Sequence, residues 1–257
     1  MKDAQGYKVS GATASAVGYF DQAVRAFSLG FGDIVGLFDS ARTSEPEFAM
    51  AHLGKAWVLM LANDPTMMVA ARPLIAAARA LELNQREEAH LTAVEQAIEG
   101  NRTAAVRILD RHLMSYPFDL LGHFAALFLD ALSGRFPWVA ERSSRALPVW
   151  SKSQPGYGIL LAFYAFGIEE GGQYALAEEN ARRAAELEPN CYWAHHAIAH
   201  VMEMTGRPED GLKWTAAHES NWSTDEHPAR VHIWWHNALF HLAVSKLKRN
   251  TVQFPVD

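Results

Sequence analysis

Gly172-Gln173-Tyr174-Ala175-Leu176-Ala177-Glu178-Glu179-Asn180-Ala181-Arg182-Arg183-Ala184-Ala185-Glu186-Leu187-Glu188-Pro189 sets the reading of the whole chain. After the glycine come Tyr174, Ala177, Ala181 and Ala184, and Pro189 closes the stretch. The same offsets recur upstream: Gly100 leads to Ala105, Leu109 and Pro117, and Gly134 leads to Phe136 and Ala146. Gly100 and Gly134 are 34 residues apart, as are Gly172 and Gly206. A period of about 34 residues with small residues at fixed steps marks antiparallel helix pairs stacked into a solenoid. Where two helices cross closely a large side chain would hold the backbones apart, and Ala56, Ala105 and Ala177 are placed for such crossings.

Outward from that stretch, apolar residues recur at helical spacing between short Gly, Pro or Asn breaks. Six hairpins are expected: 13–29 with 31–43, 47–63 with 66–82, 86–99 with 102–115, 119–133 with 136–148, 156–170 with 173–187, and 190–205 with 208–219. A last helix is expected over 228–247. Phe31, Ile34, Phe38, Ala41 and Pro46 give the first hairpin the same grammar. Pro73 interrupts the second and should kink its second helix or shift its start. The fold class is all-α, a superhelical solenoid, with one array over 1–250 and a tail over 251–257.

The 257 residues are 49% hydrophobic and 20% charged, enough apolar surface for a sizeable core. Net charge is −6 and no Lys/Arg cluster occurs, which argues against nucleic acid and anionic membrane as partners. Cys191 is the single cysteine, so no internal disulfide can form, which suits a reducing compartment. No apolar signal-peptide core follows Met1, and no stretch approaches about 18 uncharged apolar residues. The expected location is cytoplasmic. Phosphate-cradling, nucleophile-elbow, paired-cysteine and calcium-loop motifs do not occur.

The spacing resembles the tetratricopeptide repeat over most of the chain. Three features resemble one subfamily, the tetratricopeptide repeat protein 38-like proteins: the opening Asp3-x-x-Gly6 with Ser15-Ala16-Val17-Gly18-Tyr19; Phe48-Ala49-Met50-Ala51-His52 after Pro46; and the pair His196–Arg207 and His232–Leu239. The resemblance implies a helical solenoid of tetratricopeptide-like hairpins and carries over no catalytic residue. Members usually continue past the Trp234-Trp235-His236 helix with further hairpins. Here that helix is expected to lack its partner, from truncation or because a second chain covers it, which leaves homo-oligomerisation through the uncapped end open.

Twelve histidines is a high count, and eight fall between 195 and 241. The repeat register implies that His52, His123 and His195 share one inward-packing position, each with one ring nitrogen satisfied, and that His112 and His218 are also structural. It puts His196, His200 and Glu203 in one stripe on the groove, at i, i+4 and i+7. His232 and Trp235 point to the same groove and His236 borders it. First helices of successive repeats lie about 8–10 Å apart, so the two histidine pairs can approach each other, with Glu169 joining from the preceding repeat. Imidazole pairs at i, i+4 suit zinc or another divalent metal. Three readings stand: a metal site on His196, His200, His232 and His236, a polar groove without metal, and plain packing. No resident cofactor is expected beyond that alternative. Cys191, at a helix start, is read as structural.

Phe124, Phe128, Phe163 and Phe166 are expected along the groove, with Trp193 continuing the wall, or as core if a tightly superhelical array closes over these rings. The expected function is a scaffold that binds a peptide or small molecule in its concave groove through Phe128, Phe166, Glu169, Trp193, His196, His200, Glu203, His232 and Trp235. The alternative is an enzyme with a histidine-rich, metal-dependent site between the helices around 193–204 and 230–242.

Overall fold

The computed structural model describes residues 1–223 and 230–253. Six helix pairs follow one another: α1 (Ala14–Leu29) with α2 (Ile34–Ser44), α3 (Ala49–Leu61) with α4 (Pro65–Arg79), α5 (Gln85–Ile98) with α6 (Arg102–Ser115), α7 (Leu120–Ala131) with α8 (Phe136–Ala146), α9 (Tyr157–Glu170) with α10 (Tyr174–Leu187), and α11 (Tyr192–Met204) with α12 (Pro208–Ala217). A short α13 (Glu219–Trp222) and a long α14 (Arg230–Gln253) complete the described chain. Helices pack against their neighbours in sequence order. Among the described residues there is no strand, only one isolated bridge between Lys2 and Lys8. The last helix runs past the expected end at 247 and three residues into the expected tail. Its expected start at 228–229 and the tail's 254–257 lie outside the described residues. Pro73 neither ends α4 nor shifts its start from Pro65.

Local chemistry accounts for the hairpins. The first helix of each pair is followed by a left-handed residue: Gly30, Asn63, Gly100, Gly134, Gly172 and Gly206, with φ between 53° and 84°. Any Cβ-bearing residue there costs roughly 1–2 kcal/mol, and asparagine is the side chain that tolerates it best. Asn63 is therefore the turn of the second hairpin, where no glycine signals one. Helix starts are capped by side chains: Asp33 accepts from Gly36 N–H, Asp64 from Thr66 and Met67, and Asn84 forms a capping box with Glu87. Each cap contributes about 1 kcal/mol.

The repeated histidine is a strut between hairpins. His52, His123 and His195 each direct Nε2 at the carbonyl of a proline six residues earlier, Pro46, Pro117 and Pro189, at 2.8, 2.9 and 2.7 Å. A carbonyl only accepts, so Nε2–H donates. The bond ties the proline turn that ends one hairpin to the helix that opens the next. Close crossings use the smallest residues. Ala56, Ala105 and Ala177 are fully buried, and a Cβ on Gly167 of α9 would lie 2.4 Å from the backbone nitrogen of Ala140 in α8.

The array curls tightly enough that its first hairpin meets its sixth. Arg25 of α1 pairs with Glu188, and Gly30 sits against Tyr192. Phe27 packs edge-on against Phe124 at 4.6 Å. This decides between groove and core for two of the aromatic rings. Phe124 and Phe163 are 3% and 1% exposed: they fill the middle of the inner wall as core, in contact with each other and with Trp193. Among the described residues an aromatic-lined concavity opens toward the C-terminal end. Beyond it, α14 turns Val231, Trp234 and Leu242 to solvent.

Candidate functional site

α11 carries His196 and His200 one turn apart, and the neighbouring α14 carries His232 and His236 one turn apart. The helices pack so that one ring nitrogen from each of the four imidazoles lies within 4.8 Å of the others. Ring centroids of His196 are 4.2, 4.7 and 5.4 Å from those of His200, His232 and His236. The expected convergence of these four residues is what the packing produces, with His236 buried inside it. Among the described side chains of α14, Ile233, His236 and Phe240 are buried, which puts the ring of His236 at the floor of the pocket.

Carboxylates orient the rings from behind. Glu203 Oε2 accepts from His236 Nδ1 at 2.8 Å, and Glu169 Oε2 accepts from His200 Nδ1 at 3.1 Å. Both rings therefore turn Nε2 toward the cluster. His236 Nε2 meets His232 Nε2 at 3.1 Å, and with Nδ1–H of His236 committed to Glu203, the donor there is His232. His196 is different. It is 5% exposed, and neither of its ring nitrogens has a hydrogen-bond partner among the described residues. Its place is fixed by rings: Tyr192 stacks on it at 5.0 Å and 15°, and Phe166 lies at 5.4 Å.

Three of the four rings resist positive charge. Burial, reinforced by the three other imidazoles, holds His196 well below the usual imidazole range. Burial together with His200 and His232 pushes His236 down to about 3. His232 is lowered by burial and His200. His200 alone is raised: burial opposes its charge, but the hydrogen bond and charge of Glu169 outweigh it, with Glu170 and Glu203 adding.

Above the imidazoles opens a cavity of about 480 Å³. Phe128, Phe166, Trp193, His196, His200, Glu203, His232 and Trp235 all line it, as expected. Glu169 does not: it is buried behind His200, and its neighbour Glu170 faces the cavity in its place. Phe136 and Tyr192 are further lining rings that sequence reasoning did not assign to the site. Tyr192 carried a usable signal, since an aromatic at i and a histidine at i+4 share a helix face. Glu170 carried none, because its direction depends on how α9 ends. Among the described residues no Lys or Arg lines the cavity.

A second cluster, not anticipated, joins His90, His112 and Asp119 in full burial. Asp119 Oδ2 accepts from His90 Nε2 at 3.0 Å, His112 Nε2 at 2.9 Å and Arg86 Nε at 2.7 Å. Trp57 Nε1 donates to His90 Nδ1 at 3.1 Å, and Arg86 also pairs with Asp3. Burial would raise the carboxyl of Asp119, but Arg86 and the two imidazoles hold it well below the carboxylate range. Here the guanidinium already fills the place a cation would take.

The remaining candidates are structural. His218 spends Nδ1 on the carbonyl of Trp214 and stacks on that indole at 3.8 Å. Burial pushes the thiol of Cys191 up to about 12, which leaves it an unreactive core residue. No family model matches the chain. Among the described residues no helix is long and apolar enough to cross a membrane.

Proposed function

We propose that the protein is a helical-repeat binding protein, built of tetratricopeptide-like hairpins, whose concave side takes a small ring-bearing molecule. The observation that supports this most is the cavity itself. Its size falls in the range of about 300–1,000 Å³ usual for small-molecule sites. Its walls are aromatic, and its polar groups converge on the floor: four imidazoles and the carboxylates of Glu170 and Glu203. The pattern suits a flat apolar body with one hydrogen-bonding or donor atom at its end. A peptide would need a long open channel, and Phe124 and Phe163 occupy the stretch where that channel would run.

The test uses 2-naphthol and 2-naphthoate as probes, followed by calorimetry and by saturation-transfer NMR. Saturable binding is expected. Trp235 is 53% exposed at the cavity mouth, so Trp235→Ala leaves the fold intact. One lost aromatic contact is worth about 0.5–1.5 kcal/mol, so affinity for the probes should fall by about 2- to 10-fold. Absence of saturation, or affinity unchanged in Trp235→Ala, defeats the reading.

A further inference from the structure

We infer that the four imidazoles on the cavity floor are a binding site for one divalent transition-metal ion of the zinc class. The first reason is geometric. Four nitrogens at about 2.05 Å from a tetrahedral zinc lie about 3.4 Å from one another. The His232–His236 pair stands at 3.1 Å, and the whole set lies within 4.8 Å. Closure onto an ion needs only side-chain rotations, with the proton of His232 moving from Nε2 to Nδ1.

The second reason is the carboxylate placed behind each of two rings. Glu203 on His236 and Glu169 on His200 fix Nδ1 as the protonated nitrogen and aim Nε2 inward. That arrangement is what makes a ligating imidazole both oriented and more basic. The carboxylates also set a negative field at the floor.

The third reason is His196. A buried polar atom without a partner costs about 1–3 kcal/mol. The other buried histidines each avoid part of that cost: His52, His123 and His195 bond proline carbonyls, and His90 and His112 bond Asp119. His196 has two unpartnered nitrogens and packs against three other imidazoles, with one of its nitrogens within 4.8 Å of a nitrogen on each. A metal bond satisfies one of them directly. All-nitrogen donors select zinc, cobalt, nickel or copper over magnesium and calcium.

This deepens the pocket reading, because an ion on the floor gives the ring-bearing ligand a point of coordination. The site is open on the cavity side, so a ligand atom can reach the ion as a fifth donor. The two readings fail separately. The experiment uses untagged full-length protein stripped with a chelator and titrated with Zn²⁺ and Co²⁺ by calorimetry, with Mg²⁺ in parallel. One equivalent per chain with Kd below about 1 μM is expected, with visible d–d bands for Co²⁺ and no uptake of Mg²⁺. Glu203→Gln should weaken binding by about 10- to 100-fold. His232→Ala, which removes a partly exposed donor, should weaken it more, while the exposed His241→Ala should leave it unchanged. No saturable uptake, equal uptake of Mg²⁺, or affinity unchanged in His232→Ala overturns the proposal. Binding of 2-naphthol by protein that takes up no Zn²⁺ defeats the metal reading alone. Zn²⁺ uptake without 2-naphthol binding defeats the ligand reading alone.

Discussion

The two histidine clusters of this protein use the same ingredients to opposite ends. Around Asp119, two imidazoles and a carboxylate close on Arg86, and every polar atom that faces another finds a partner. Around His196, four imidazoles face one another with carboxylates behind them, and among the described residues no Lys or Arg lines the cavity. The first cluster is complete as it stands and holds the N-terminal segment, through Asp3, to α5 and α7. The second is chemically unfinished, and it lies at the floor of the cavity. A cluster of titratable groups is therefore not by itself a site. What separates structure from function here is whether the chain supplies its own counter-charge.

Removing that counter-charge tests the contrast most severely. Arg86→Met leaves Asp119 and Asp3 buried without their cation, so urea unfolding should show a loss of about 3–5 kcal/mol. A loss below about 1 kcal/mol means that the first cluster is not held by its guanidinium, and the contrast falls.

Acid offers the next test. Burial lowers His123 and His195 to about 4 in the folded state, against the usual imidazole value near 6.5. The unfolded chain then binds more protons than the folded one between those values. The part of the stability that these two rings carry is complete above about pH 6.5, falls as pH drops through that window, and levels out below about pH 4. Each of the two rings contributes a slope of up to about 1.4 kcal/mol per pH unit. Urea midpoints measured from pH 7 to pH 4 check this; a flat profile contradicts the buried, neutral state of the proline-bonded histidines. Within the second cluster, His200 should titrate above the usual range in imidazole NMR while His196 stays neutral far below it.

The smallest effect has the most telling sign. His196→Leu removes two unpartnered buried nitrogens for a side chain of similar size. In metal-free protein it should leave stability unchanged or raise it by about 1 kcal/mol, while binding at the pocket suffers. A loss of 2 kcal/mol or more by urea unfolding, beyond what about 1–3 kcal/mol of relieved desolvation allows, would place His196 among the structural histidines and erase the difference between the clusters.

Much of this was legible in the residues. Gly30, Gly100, Gly134, Gly172 and Gly206 announced where helices turn, because glycine is favoured wherever φ must be positive. His196 with His200, and His232 with His236, announced a shared face, because i and i+4 always do on a helix. Asn63 and Tyr192 carried weaker signals of the same local kind. The Arg86–Asp119–Asp3 network left no trace, since its members come from segments up to 116 positions apart (119 against 3) and nothing local requires them to meet. Whether Phe124 and Phe163 line a groove or fill the core stayed open, because the register fixes which face of a helix a ring occupies, not whether that face stays open.

The sequence by itself determined the helical hairpins, their turns, and the pairing of histidines along two helix faces. These follow from backbone stereochemistry and the 3.6-residue period, which act within a few residues of each position. Only the tertiary structure decided how tightly the array curls, which rings it swallows, and which of two histidine clusters meets a cation from its own chain. Those outcomes depend on contacts between distant segments, where burial and charge pairing are settled by packing and not by local order.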